Sequence, residues 1–155
     1  MKLAEALQER ADLNLKIQEL QRRLQNCILI QEGEKPVEDP NELLKALDES
    51  ISRLGTLIAA INLTNCRTKA DGKTLTEIIA RKDSLMMQLS AYRNLGYPAG
   101  QTTSRARGTE IKVLSVIAAS DLQKKADALA KEVRELDNLL QETNWKTKLI
   151  EKSEK

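Results

Sequence analysis

The sequence predicts an all-α protein: a four-helix, up-down-up-down bundle with two long connections gathered at one end. Three observations carry that expectation. Apolar residues recur at alternating three- and four-residue intervals over four long segments, the spacing that lines one face of a helix. The composition is charged and aliphatic, with 31% charged and only 2% aromatic residues and no Phe, which suits packed amphipathic helices better than a sandwich or barrel. Gly and Pro fall between the periodic segments, apart from Gly55 and a Pro40 placed at a helix start. A length of 155 residues suits one domain, 1–155, able to bury a core.

The first helix spans about residues 2–26, with Leu3, Ala6, Leu13, Ile17, Leu20 and Leu24 on one face and Arg10 in the middle of that face. The segment CILIQEGEKPVEDP ends it, being apolar at first and then acidic and broken by Gly33, Pro36 and Pro40. A second helix, about 40–68, opens with Asp39 as cap, Pro40 at the first helical position and Glu42 placed to return the cap. Its stripe is Leu44, Leu47, Ile51, Leu54, Ile58 and Ile61, with Asn65 at the next inward position, and Gly55 interrupts it at a cost of about 1 kcal/mol relative to Ala. After the tight connection KADGK, Thr74 and Glu77 form a capping box that starts a third helix, about 75–95, stopped by Gly96 and Pro98. Leu75, Ile78, Ile79, Leu85, Met86, Leu89 and Tyr92 make its stripe, with Lys82 near the centre and Asp83 on the flank. The next connection is first basic (GQTTSRARG) and then strand-like (EIKVLSVI). Ser120 and Gln123 form a third box, opening a fourth helix over about 121–149 that carries Leu122, Ala126, Leu129, Val133, Leu136 and Leu140. The tail KSEK should fray.

Connection lengths then set the topology. A short loop forces the second and third helices antiparallel, and the long loops on either side permit the up-down-up-down order. Both long connections meet at one end, where Ile28 to Gln31 and Lys112 to Val116 are expected to pair as a two-stranded ribbon, with EGEKPVED facing SRARG. The termini and KADGK collect at the other end.

Composition also excludes chemistries. A net charge of +2 supplies no strong field toward nucleic acid or an anionic membrane, and there are few aromatic platforms for bases. The absence of His removes imidazole bases, Ser-His and Cys-His dyads and His-ligated metals. Cys27 and Cys66 fit neither a metal motif nor a disulfide framework and end different helices, so both are expected as free thiols. The charged start and the lack of a long apolar run predict a soluble cytoplasmic protein.

The phrases MKLAEALQERADL, QEGEKPVEDPNELL, INLTN, DGKTLTEIIARKD, EIKVLSV and LDNLLQETNW resemble a family of small bacterial proteins of unknown function, some of whose members carry the label septicolysin. The resemblance spans nearly the whole chain and implies one helical domain and a bacterial setting. It brings no agreed activity and no functional residues. A lytic toxin would call for an export segment, a spanning segment or a strongly apolar amphipathic helix, none of which the sequence shows.

The polar interruptions of the stripes supply the candidate site. Arg10 and Lys82 are expected to face inward in a shared layer, with Asn65, Asn144 and Thr147 nearer the rim and Glu9, Asp83 and Asp137 as flanking counter-charges. Two roles suit such a cluster: an ion-pair network that fixes helix register, or an anion pocket in which Arg10, Asn65, Lys82, Asp83 and Asn144 receive a small ligand. Trp145 points away from its own stripe and is either an exposed interface anchor or folded over the KADGK loop. The E-x-x-D spacing of Glu9 and Asp12 is a weak trace of a metal-dependent hydrolase. The expected function is therefore a non-enzymatic bundle acting through protein–protein contacts, as a homo-oligomer, with no cofactor, metal, nucleic acid or membrane. The alternative is a binder, or hydrolase, of a small anion or nucleotide at the end carrying the termini.

Overall fold

The structure, a computed structural model, describes residues 1–101, 106, 108 and 110–151. Four helices follow one another, α1 (Leu3–Cys27), α2 (Pro40–Arg67), α3 (Leu75–Ala99) and α4 (Ala119–Lys146), with two short strands, β1 (Lys69–Ala70) and β2 (Lys73–Thr74), between α2 and α3. The chain is thus all-helical with one small ribbon. Its backbone contacts divide into two units, Met1–Lys69 with Thr143–Lys155, and Ala70–Glu142.

Each helix start has a local cause. At α1 the Lys2 amide donates to the Glu5 carboxylate at 2.6 Å. At α2 the Asp39 side chain accepts from the Asn41 amide at 2.9 Å, with Pro40 at the first position, where its missing N–H costs nothing. At α3 the reciprocal box forms: Glu77 N donates to Thr74 Oγ1 at 3.2 Å and Thr74 N to Glu77 Oε2 at 2.7 Å. The fourth start departs from expectation. Helix α4 begins at Ala119, and the amides of Asp121 and Leu122 both reach the Ala118 carbonyl, at 3.1 and 3.3 Å, so Ser120 lies inside the first turn and does not cap it.

The helix ends show what tertiary structure changed. Helix α3 runs through Gly96 and Pro98 to Ala99, because a proline in an exposed last turn removes only one amide donor near the end. The Gly100 amide closes that turn on the Gly96 carbonyl at 3.1 Å. Helix α4 stops at Lys146, since the residues beyond it are recruited by the other terminus. Leu3 N donates to Thr147 O at 2.9 Å, Leu149 N to Met1 O at 3.0 Å, and Lys2 and Lys148 form an antiparallel bridge.

The ribbon is not in the long connections. It lies in KADGK, where β1 pairs with β2 across Asp71 (φ 49°) and Gly72 (φ 78°). Positive φ at both central residues is the two-residue hairpin geometry that Asp-Gly favours. Ile28 to Gln31 instead runs through exposed loop, and so does Lys112 to Val116 apart from a single bridge residue, Lys112. Of the expected facing pair, Ser104, Arg105 and Arg107 lie outside the described residues, as does the KSEK tail.

In the first unit α1 and α2 are antiparallel, joined by Glu9 to Arg53 near one end and Arg23 to Glu38 near the other. Leu20, Cys27 and Leu43 pack together with Leu24, Ala46 and Leu47. In the second unit α3 buries Leu75, Ile78, Leu85 and Leu89, and α4 buries Leu122 and Ala126 and, near its end, Leu140. The α2 stripe is turned from its expected setting. Leu43, Ser50, Leu57 and Thr64 form the buried row, while Leu44, Ile51 and Ile58, one residue on and about 100° round, remain exposed. Helix α2 has two adjacent apolar rows, and α1 fits against one. On α3, Ile79 and Met86 are exposed beside buried Ile78 and Leu85 for a similar reason.

Replacing Gly72 by Ala should destabilise the protein by about 1 kcal/mol, because the added Cβ meets no neighbour and only the positive φ opposes it. Chemical denaturation measures this as a lower midpoint at unchanged slope.

Candidate functional site

In the first unit, the residue expected inside is outside. Arg10 is exposed, and its neighbour Glu9 takes the structural role: both carboxylate oxygens accept from the Arg53 guanidinium, at 2.7 and 2.9 Å. A bidentate fork of this kind fixes orientation as well as charge. The bonds to Arg53 hold the Glu9 carboxyl below the usual carboxylate range, and the same contact raises Arg53 above its ordinary value. Water is the cheaper environment for an unpaired guanidinium, and position 10 lies where α1 leaves it reachable.

Asn65, Asn144 and Thr147 are half-buried in this unit, and Trp145 is 57% exposed. The fully buried polar group is Thr64, one residue before the asparagine that periodicity singled out. Its hydroxyl donates to the Ala60 carbonyl at 2.8 Å and accepts the Ile150 amide at 2.9 Å, so it ties the segment after α4 to α2. Sequence spacing missed Thr64 and Arg53 through the same one-residue rotation that misplaced Leu44, Ile51 and Ile58. An i, i+7 series of Leu43, Ser50, Leu57 and Thr64 is the signal that could have found it.

The second unit holds Lys82 and Asp83. Lys82 is half-buried and its ammonium is bound by the Asp137 carboxylate, while Asp83 is exposed. Arg81 reaches Glu132 at 3.0 Å one residue away. Lys82, Met86, Val133, Arg134, Asp137 and Asn138 line a shallow groove. Its first cation is already neutralised, so the arrangement locks α3 to α4 in register. An incoming anion would have to displace Asp137. Among the described residues no group of three or more Cys, Asp or Glu could hold a metal ion, and neither cysteine is in a disulfide, Cys27 being buried and Cys66 exposed.

Exposed apolar side chains are a separate feature of both units. The first leaves Ile28, Leu29, Ile30 and Val37 in the long connection exposed, as well as the row on α2. The second leaves Tyr97, Leu114 and Val116 along a groove bounded by the end of α3 and the start of α4.

A family model matches residues 10–149, which contain α2, α3, α4 and most of α1, with Arg10, Arg53, Thr64, Asn65, Lys82, Asp83, Asn144 and Trp145. The chain belongs to the family of unknown function DUF6847. The chain is also similar to a crystal structure of a functionally unknown conserved protein from Corynebacterium diphtheriae, with 36% identity, a TM-score of 0.89, and coverage of 97% of this chain and 99% of that one. No curated protein matches. The likeness to that crystal structure supports the fold, and membership in DUF6847 leaves the roles of Arg53, Thr64 and Lys82 to be argued from their contacts.

Two outcomes follow from those contacts. Thr64→Val leaves the half-buried Ile150 amide without its acceptor and should cost about 1 kcal/mol, with faster hydrogen exchange at Ile150. Glu9 has a folded pKa below its unfolded one, so its contribution is complete above the unfolded value of about 4.3 and is lost as pH falls through the folded value. Glu9→Gln should lower stability at neutral pH by about 0.5 kcal/mol and flatten the acid limb of a stability–pH profile.

Proposed function

We propose that this DUF6847 protein is a non-enzymatic bacterial protein of the cytoplasm that works through protein–protein contacts. The observation that carries this reading is the apolar surface left open in each unit, with Leu29 at 85% and Val37 at 97% exposure in one and Val116 at 97% in the other. Large apolar patches on a protein surface mark interaction sites. The bacterial setting is supported by the similar protein from Corynebacterium diphtheriae, and the cytoplasmic one by two cysteines that form no disulfide. The septicolysin label would suggest lysis, and the described helices lend it no support, since none is long and apolar enough to cross a membrane.

A second reading, binding of a small anion or nucleotide, draws on the groove where Lys82 lies near Arg134. It is the weaker one, because Arg23, Arg53, Arg81 and Lys82 all have carboxylate partners of their own.

The test has two arms. In a gentle extract of its own cells the protein should migrate above the 17.4 kDa of one chain. Phosphate, nucleotides and Mg²⁺ should leave its melting temperature unchanged. A ligand at a hundred times its dissociation constant adds about 2.7 kcal/mol, so a rise of several degrees with any of these would overturn the proposal.

A further inference from the structure

We draw no further inference here: the strongest candidate, the cleft between α2 and the segment after α4 that Arg53, Thr56, Leu57, Ala60, Leu149 and Glu151 line, carries nothing, because the Arg53 guanidinium is already held by Glu9, Glu151 is exposed, and nothing in the structure shows what would occupy it.

Discussion

A helix that is apolar over more than half its circumference cannot be satisfied by one neighbour, and α2 is such a helix. Its buried row of Leu43, Ser50, Leu57 and Thr64 is committed to the first unit, and the adjacent row is left over. Most other features of the unit adjust to that commitment. The row that α1 meets contains Ser50 and Thr64, so polar groups enter the interior and must be satisfied locally. Ser50 donates to the Ala46 carbonyl at 2.7 Å and Thr64 to the Ala60 carbonyl at 2.8 Å, each four residues back. Burying a hydroxyl without such a bond would cost more than the bond itself contributes.

The ion pairs follow the same geometry. Glu9 to Arg53 and Arg23 to Glu38 flank the α1–α2 seam, and Arg81 to Glu132 and Lys82 to Asp137 flank the α3–α4 seam. All four are partly exposed, which limits what each adds to stability. Their positions along the helices fix which turn faces which, and apolar contact alone specifies that loosely. The termini are held differently, by backbone bonds from Met1 and Leu3 to Thr147 and Leu149. That clasp explains why α4 ends at Lys146 and does not continue to residue 149.

What was legible along the chain was local. Asp39-Pro40 and the Thr74–Glu77 box announced two helix starts, because capping depends on side chains within three residues of the amides they serve. Asp71-Gly72 likewise encoded a two-residue hairpin, although the strand-like look of Lys112 to Val116 drew the ribbon elsewhere. Ser120 shows the limit. Its side chain could cap, but the backbone before it was already helical, so the cap was not needed. For the candidate site, Lys82 and Asp137 were recognisable as an inward cation and a flanking acid, whereas Arg10 is exposed and its neighbour Glu9 pairs with Arg53 on α2.

By itself the sequence determined the fold class, the number of helices and most of their starts, since periodicity and capping are properties of neighbouring residues. It also determined that no imidazole chemistry is available, since the chain has no His. Only the tertiary structure decided which of two apolar rows on α2 faces α1, which hydroxyl is buried, and where α4 gives way to the strand-like clasp. The physical reason is one of angle. Rows one residue apart differ by about 100°, and a three-four spacing with leucine or isoleucine in both rows does not choose between them. Partner helices choose, by the fit of side chains such as Leu3, Ala6 and Leu20, and that choice left Leu44, Ile51 and Ile58 facing outward.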